Sequence, residues 1–409
     1  MISRLGNPRA PMRCVSLQAF PPHKSNVQAP TANPFQMMRY APEFVQMSLY
    51  CLEGAPEHAK SSEECLHLLP LYRKRAISKP EGFGRFWSLA MARSRGLPGS
   101  VGMFPPSKAA VKELNDEDPE LVWMYPHWLI DWVPRLKCEN IIITGPDSAV
   151  LHNERALAYG SLNASQRKRE QRLLRRNTKL ERSLGKMNVR VHMVGRKDAE
   201  RFEELTGHKD KAFFVPHPLY DYIPVKESIA GAGGKLKVLL SGGGGKVFEG
   251  DHLQRITAIL ERDSVSLRTE FSFKFIGRGY DECIGRLKRA GFEVTQADWV
   301  EDYENELASA HLHLFPQAVG TGTKGRVLSA LATGLLCLGS EFAFENIELD
   351  TERDCFLYRE PEETVHMLHT IVDDRQASAR IARIASEKVR TMHDPKRTSR
   401  TFWNLAAKR

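Results

Sequence analysis

Short apolar runs that alternate with helix-length segments constrain the fold of this chain more than any other feature. Residues 14–17, 121–124 and 141–143 are such runs, and each is bounded by turn-forming or charged residues. A strand-length run followed by a helix-length segment, repeated along a chain, is typical of a parallel sheet with crossover helices. The sequence therefore predicts an α/β fold.

The alternation occurs twice, on either side of a junction rich in proline and glycine. Pro224 is followed by Gly231, Gly233 and Gly234, and strand-length runs restart at 236–240. We therefore predict two Rossmann-like, doubly wound domains that face each other across a cleft. The predicted segments are a tail at 1–11, an N-terminal domain at 12–225, a linker at 226–235, a C-terminal domain at 236–392, and a helix within 393–409 that packs back on the N-terminal domain.

Net charge and cysteine content indicate the class of binding partner and the cellular compartment. The 59 Lys and Arg exceed the 50 Asp and Glu, and a net charge of +9 favours an anionic partner such as a phosphate-bearing ligand, a nucleic acid or an acidic membrane. The seven cysteines are scattered without a CxxC pair, which favours a reducing cytoplasm over a disulfide framework or a structural zinc site. No apolar run precedes Pro11, and the uncharged stretch 327–340 is too short to span a bilayer. We expect a cytoplasmic protein, associated at most with the cytoplasmic face of a membrane.

Three glycine-rich loops follow strand-length runs in the C-terminal half, at 241–246, 277–279 and 320–324. Glycine lets the backbone approach a ligand, and the N–H groups at a helix start attract negative charge. In a doubly wound sheet these loops lie together at the carboxyl ends of the strands, where ligands bind. The sequence therefore predicts an anion site to which Lys246, Arg278 and Lys324 contribute.

Known cofactor and metal motifs are missing from this pattern. Val247 stands where a P-loop has Ser or Thr, and no strict GxGxxG follows a strand. HExxH, GxSxG and paired-cysteine patterns do not occur either. We therefore expect neither a cofactor nor a metal ion, and a substrate that carries its own phosphates.

The C-terminal half resembles the donor-binding domain of GT-B glycosyltransferases, in particular the group 1 or family 4-like members. The resemblance rests on FIGRG at 275–279, WVEDY at 299–303 and GTGTKGRVLSALATG at 320–334, and VPHP at 215–218 resembles the segment that leads to the interdomain linker. The N-terminal half resembles the family only loosely, through 23–36. The resemblance implies a hexosyltransferase-like enzyme of polysaccharide biosynthesis. Such an enzyme transfers a sugar from a nucleotide diphosphate donor to a glycan or lipid-linked acceptor without a metal.

The resemblance also implies which residues bind the donor, listed here by their numbers in this chain: Gly242, Gly243, Gly244, Lys246, Arg278, Gly320, Thr321, Gly322, Thr323, Lys324 and Glu345. Lys324, with Lys246 or Arg278, would stabilise the leaving diphosphate. Many relatives have two glutamates where this chain has Thr321 and Ser329, so their glutamate contact to the ribose is not carried over. Glu345 is an alternative carboxylate, or a solvated surface residue.

The N-terminal domain is expected to provide the acceptor side and, for an inverting enzyme, a general base. Asp147 follows the run 141–143, and His127 follows the run 121–124. Asp147 could equally be the N-cap of the next helix, and His127 a packed histidine beside Trp128. His23 and Asn33 are the acceptor-side candidates. His23 could also be an exposed loop residue, and Asn33 is expected to be the N-cap of a helix.

Ten basic residues lie between 160 and 190, where there are only two acidic ones. Leu173, Leu180, Leu184 and Met187 form one apolar stripe on the predicted helix. Such a helix can lie on an anionic bilayer, or it can pack its stripe on the N-terminal sheet and leave its charges in water. No aromatic residues interleave the run, so nucleic acid is not the expected partner.

Two other functions remain open at the level of sequence. A sugar-nucleotide epimerase or hydrolase can have the same double architecture, but it needs several acid and base residues at the nucleotide cleft. A basic nucleotide- or RNA-binding protein without turnover would use the charges of 160–190 instead of Lys324.

Overall fold

The computed structural model describes residues 11–24, 29–52, 65–77, 82–244, 248–350 and 353–408. The first sheet consists of β1 (Met12–Gln18), β2 (Val45–Leu52), β3 (Leu71–Ile77), β4 (Leu121–Tyr125), β5 (Ile141–Thr144), β6 (Arg190–Met193) and β7 (Ala212–Phe214). The second sheet consists of β8 (Leu236–Ser241), β9 (Phe271–Ile276), β10 (Glu293–Ala297), β11 (Leu312–Phe315), β12 (Leu336–Ser340) and β13 (Phe356–Tyr358).

Helices connect these strands. Those of the N-terminal domain are α1 (Ala29–Arg39), α2 (Gly82–Ser94), α3 (Lys108–Asp116), α4 (Ala149–Tyr159), α5 (Ala164–Lys186) and α6 (Arg196–Thr206). Those that follow are α7 (His252–Arg262), α8 (Ser264–Leu267), α9 (Asp281–Arg289), α10 (Tyr303–Ala308), α11 (Gly325–Thr333), α12 (Glu341–Phe344), α13 (Thr364–Asp373), α14 (Arg375–Met392) and α15 (Pro395–Ala406). Short 3-10 helices cover Gly99–Met103, His127–Arg135 and Pro361–Glu363.

The strand order confirms the predicted pair of doubly wound domains. The first sheet has the order β3-β2-β1-β4-β5-β6-β7 and the second the order β10-β9-β8-β11-β12-β13. All neighbouring strands pair in parallel. The order reverses between β1 and β4 and again between β8 and β11, and such a switch point leaves a crevice at the carboxyl ends of the strands.

Alternate residues of the first sheet build two hydrophobic cores. Val15 and Leu17 of β1 belong to one core, whereas Cys14 belongs to the other. Side chains along a strand point alternately to opposite faces, so the two cores lie on opposite faces of the sheet. The second core includes Phe402 and Trp403 of α15, and the indole Nε1 of Trp403 donates to the carbonyl of Met37 at 2.9 Å.

Helix α1 begins at Ala29, five residues before Pro34, the first helical residue predicted. Asn33 lies inside it rather than at its N-cap, and Pro34 is an interior residue. An interior proline costs about 3 kcal/mol. Burial of Phe35, Met37 and Met38, each worth about 1.5–3 kcal/mol, offsets this cost. The predicted N-cap role of Asn33 is therefore wrong, because packing overrides the local proline signal.

Residues 215–235, between the two sheets, form neither helix nor strand. Among the described residues, no helix combines the length and the apolar character needed to cross a bilayer. The exact domain boundaries stay a prediction.

Candidate active site

Two glycine loops of the C-terminal domain pack against each other at the carboxyl edge of its sheet. The N–H of Gly242 donates to the carbonyl of Ile276, and the N–H of Gly244 to that of Arg278, both at 2.8 Å. A Cβ on Gly244 would come within 2.4 Å of the carbonyl oxygen of Gly279. Glycine is therefore required at 244 because the two backbones approach too closely for a side chain.

Arg326 joins these loops to helix α11. Its guanidinium Nη1 donates to the carbonyl of Ser241. A Cβ on Gly242, whose φ is +123°, would lie 1.4 Å from that nitrogen. Gly242 therefore leaves the space that Arg326 occupies, and Arg326 is a site residue that the sequence analysis did not select.

Lys324 is the N-cap residue of helix α11, and its side chain is 9% exposed. Its Nζ donates to the carbonyl of Gly322 at 3.2 Å and lies 3.8 Å from Oε2 of Glu345. Burial lowers the pKa of Lys324 to about 8, and the neighbouring carboxylate of Glu345 opposes that shift. Lys324 is thus a cation at neutral pH at the start of a helix, where an anion is favoured.

Two cavities meet at Arg326. The first, of about 240 Å3, is lined by Ser241, Gly242, Ile276, Gly277, Asp298, Trp299, Val300, Glu301, Tyr303, Glu304 and Arg326. The second, of about 300 Å3, is lined by Asp147, Phe248, Phe315, Gln317, Val319, Gly320, Thr321, Lys324, Gly325, Arg326 and Val327. The carboxyl ends of β8, β9 and β11 thus form one elongated site, and Asp147 brings the N-terminal domain to it.

Asp147 directly contacts the donor loop of the other domain. Its Oδ2 accepts a hydrogen bond from Oγ1 of Thr321 at 2.9 Å. A Cβ on Gly322, whose φ is +60°, would lie 3.1 Å from the Asp147 Cβ. Ser148, and not Asp147, is the N-cap of helix α4, since its Oγ accepts from the N–H of Leu151. The N-cap interpretation of Asp147 is therefore wrong.

His127 lies behind Asp147 and is 6% exposed. Neither ring nitrogen has a hydrogen-bond partner among the residues that the structure describes, and a Cβ on Gly145 would lie 3.1 Å from Nδ1. Burial lowers the pKa of His127 to about 4, although the charge of Asp147 acts in the opposite direction. His127 is therefore neutral at pH 7 and keeps two unused polar atoms near the cleft.

Glu345 is neither a solvated surface residue nor part of the cavity lined by Trp299. Its side chain is 6% exposed and forms two hydrogen bonds with Arg155, at 2.6 and 2.8 Å, and an ion pair with Lys197 at 2.9 Å. Both partners belong to the N-terminal domain, so Glu345 ties the domains together. Arg155 is a second residue that the sequence analysis missed.

The other predicted donor residues have different environments. Gly320 and Thr321 line the larger cavity, whereas Oγ1 of Thr323 donates to the carbonyl of Val194. Arg278 lines neither cavity: its side chain is 86% exposed and pairs at 3.3 Å with Asp298, which lines the smaller cavity. Lys246 lies outside the described residues, and no described atom lies within 4 Å of a Cβ placed on Gly243.

The acceptor-side candidates lie near the switch point of the first sheet. The N–H of His23 donates to the carbonyl of Thr31 at 3.0 Å, and the His23 side chain is half-buried. Asn33 is 1% exposed, and within the described part of the chain both of its side-chain polar atoms lack a hydrogen-bond partner. Neither residue lines the cavities that meet at Arg326.

A larger cavity, of about 340 Å3, lies elsewhere on the C-terminal domain. Its lining includes Lys237 and Ser272, near the amino-terminal ends of β8 and β9. It contains no residue of the glycine loops, so its size alone does not make it the functional site.

Comparison with known proteins identifies the class to which this fold belongs. Residues 258–404 match the family model described as glycosyl transferase-like. The chain is similar in structure to Anabaena HepE in complex with UDP and glucose, with a TM-score of 0.66 at 11% identity, covering 97% of this chain and 100% of that one. It is also similar to sucrose-phosphate synthase from Thermosynechococcus elongatus, with a TM-score of 0.65 at 13% identity and coverage of 97% and 98%.

A third similar structure is a Staphylococcus aureus TarM variant in complex with Fondaparinux, alpha-GlcNAc-glycerol and UDP. The TM-score is 0.64 at 7% identity, with coverage of 97% and 100%. No curated protein sequence matches significantly. The fold is that of GT-B glycosyltransferases, and the C-terminal half carries a glycosyl transferase-like domain, which confirms the predicted resemblance.

Proposed function

We propose that the protein transfers a sugar from a nucleoside diphosphate sugar to an acceptor hydroxyl. The observation that carries this proposal is the pair of cavities joined at Arg326, with Lys324 at the start of helix α11. The smaller cavity, with the ring of Trp299, suits a nucleoside, and the larger one suits a diphosphate and its sugar. We propose uridine as the nucleoside because the structurally similar Anabaena HepE was solved with UDP and with UDP-glucose.

The proposed role of the C-terminal residues follows from the negative charge that develops on the diphosphate during transfer. Cleavage of the sugar–phosphate bond leaves negative charge on the diphosphate, and groups aimed at that charge lower the barrier. Lys324, Arg326 and the first N–H groups of helix α11 are so placed. They stabilise the leaving group from the C-terminal domain, so the predicted absence of a metal requirement is chemically consistent.

The N-terminal domain is proposed to bring the acceptor. Asp147 lines the larger cavity and is the candidate general base for an acceptor hydroxyl in an inverting reaction. His127 is too weak a base at a pKa of about 4. Its ring nitrogens are buried and His127 lines neither cavity, so we do not propose that it contacts the substrate. A glycan or a lipid-linked glycan remains the proposed acceptor.

The direct test is a thermal-shift screen with UDP, GDP, ADP and dTDP sugars, followed by nucleotide release with and without EDTA. A ligand that binds only the folded protein raises its Tm by mass action. We expect the largest shift with a UDP sugar and nucleotide release that survives EDTA. If no nucleotide shifts Tm, the proposal fails.

The products separate the competing functions. A transferase releases nucleoside diphosphate and forms a new glycoside, whereas an epimerase returns a changed sugar nucleotide and a hydrolase releases free sugar. A nucleotide- or RNA-binding protein forms no product. The position of Asp147 from one domain and Lys324 from the other in the lining of the same cavity favours transfer.

We also propose that the N-terminal domain docks on an anionic membrane through helix α5. Leu180 and Leu184 of its apolar stripe are buried in the domain core, so the stripe itself is not available to lipid. The outward face instead carries six exposed basic residues at intervals of four and three: Lys168, Arg172, Arg175, Lys179, Arg182 and Lys186. Eighteen residues of helix extend about 27 Å. The six residues thus form a line of charge, here named the basic ridge.

Helix α2 carries exposed apolar side chains, and the loop that follows it contacts the basic ridge. Phe86, Trp87 and Met91 of helix α2 are 65%, 57% and 44% exposed. The loop after this helix reaches the ridge, because a Cβ on Gly96 would lie 3.5 Å from Cδ of Lys179. No described carboxylate forms an ion pair with the ridge. Cations attract anionic headgroups at about 1 kcal/mol each, and aromatic rings enter the interface.

Vesicle co-sedimentation tests the membrane contact. We expect the wild-type protein to bind phosphatidylglycerol vesicles and the triple variant Lys168→Glu/Arg172→Glu/Arg175→Glu not to bind them. Neither the wild type nor the variant should bind vesicles of phosphatidylcholine alone. The matched control is Lys396→Glu/Arg397→Glu/Arg400→Glu, which makes the same charge change on helix α15, on the opposite face of the domain. Equal losses in both variants would mean that net charge, and not the ridge, drives binding.

A further inference from the structure

Asp198, the third residue of helix α6, is fully buried and holds one loop from each domain. Its Oδ1 accepts the N–H of Ser148 at 2.8 Å, and its Oδ2 accepts the N–H of Gly322 at 2.9 Å. Ser148 follows Asp147, and Gly322 follows Thr321. The same carboxylate therefore sets the distance between the candidate base and the donor loop.

Gly195 makes this contact sterically feasible. A Cβ at 195 would lie 2.0 Å from Oδ2 of Asp198 and 2.7 Å from Nδ2 of Asn346. The φ of Gly195 is −126°, which any residue can adopt, so glycine is needed here for space and not for backbone conformation. Replacing it would displace the carboxylate without removing it.

Asn346 completes the contact from the other domain. Its Oδ1 accepts the N–H of Arg196 at 3.0 Å, and its Nδ2 donates to the carbonyl of Gly322 at 2.9 Å. Gly322 is thus held at both its N–H and its carbonyl. The peptide at the centre of the donor loop is fixed against the N-terminal domain by neutral and charged groups together.

We infer that Asp198 is a positioning residue of the transfer reaction, which places the Gly320–Lys324 loop against Asp147 and needs both carboxylate oxygens to do so. The inference rests on the proposed function. The charged groups around Asp198 are Asp147, Lys324 and, from helix α5, Glu181.

The protonation state of Asp198 agrees with its acceptance of two hydrogen bonds. A buried carboxylate is costly unless it is hydrogen-bonded, and two N–H donors supply that compensation. Burial raises the pKa of Asp198 to about 6, and the charge of Asp147 adds to the shift. The group is still mostly ionised at pH 7.5, where both oxygens accept.

Two variants perturb the contact in different ways. Asp198→Asn keeps one acceptor oxygen, and its NH2 group must face one of the two N–H donors. Gly195→Ala keeps the carboxylate but pushes it off Gly322. Glu200→Gln is the matched control, because Glu200 is an exposed residue of the same helix and loses the same charge.

Hydrogen–deuterium exchange and kinetics at pH 7.5 test the inference together. We expect Asp198→Asn and Gly195→Ala to raise amide exchange in segments 143–149 and 319–325. We also expect them to lower kcat with UDP-glucose by roughly 10- to 100-fold and to leave the Kd for UDP within about threefold. Glu200→Gln should match the wild type. A merely structural residue would lower Tm but leave the kcat of the folded protein unchanged.

The outcome separates this inference from the proposed function. Unchanged exchange and kcat in both variants would overturn the positioning role, even if the wild-type protein binds UDP. If the wild type neither binds UDP nor releases it from UDP-glucose, the exchange of the two loops still decides whether Asp198 couples them.

Discussion

The carboxyl edges of the two sheets present opposite chemistry to the same cleft. The C-terminal edge offers Lys324, Arg326 and backbone N–H groups among glycines, whereas the N-terminal edge offers the carboxylate of Asp147. Strand order is shared by both sheets through the first six strands, so topology alone does not set the role of each edge. The side chains at the strand ends make one edge bind an anion and the other act on a hydroxyl.

Removing the carboxylate of the N-terminal edge should have the largest effect on turnover. Asp147→Asn is expected to lower kcat about 1,000-fold, since a positioned base contributes roughly 100- to 10,000-fold. The Kd for UDP, measured by calorimetry, should change by less than threefold. A large loss of UDP affinity would mean that Asp147 binds the donor, and the contrast between the edges would disappear.

Removing the cation of the C-terminal edge should lower both donor affinity and rate. Lys324→Ala is expected to lower kcat/KM for the donor roughly 100-fold, the effect of losing one group aimed at a developing anion, and to weaken UDP binding. Lys288→Ala, an exposed lysine of helix α9, is the control. If Lys324→Ala left both donor affinity and rate unchanged, the transferase proposal would be wrong.

The same lysine should shape the alkaline limb of the pH–rate profile. Burial lowers the pKa of Lys324 to about 8, so the cation is present below that pH and is lost above it. We expect kcat/KM, which reports the free enzyme, to fall about fivefold between pH 8 and pH 9. In Lys324→Arg the guanidinium stays charged, and the limb should vanish. A limb that persists belongs to another group.

The smallest expected effect lies in the cavity assigned to the nucleoside. Trp299 is 60% exposed and lines that cavity. Trp299→Ala should weaken UDP about three- to tenfold, in line with the 0.5–1.5 kcal/mol of an aromatic contact, and Trp299→Phe should recover most of it. Because Trp299 is remote from the bond that breaks, kcat should stay constant. A fall in kcat would indicate that the sugar of the donor, and not its nucleobase, occupies this cavity.

Sequence pattern predicts the fold and the C-terminal edge well, because both depend on local signals. Glycines after strands mark loops, and a basic residue at the start of a helix marks the anion site, as Lys324 illustrates. Arg326 carried the same signal two residues later, but its approach to Gly242 becomes evident only from the fold.

Residues whose roles depend on contacts between domains could not be predicted in this way. Asp198 lies in the first turn of helix α6, where an acidic residue is common and carries no special signal. Its partner Gly322 is 124 positions away in the sequence. From the sequence, Glu345 cannot be distinguished from a surface residue, because its ion pairs with Arg155 and Lys197 form only in the folded protein. In helix α5 the pattern predicted an apolar stripe correctly, but only the packing of Leu180 and Leu184 shows which surface the stripe covers.

The return of helix α15 to the N-terminal core has a consequence for biosynthesis. Trp403 fills a core whose other members come mostly from residues 12–142. On the ribosome, that core stays open until the whole C-terminal domain has been translated, because its last aromatic side chains are added afterwards. The first half of the protein therefore completes its folding after the second half has emerged, and a chain that stalls at residue 392 would leave an apolar gap for chaperones to cover.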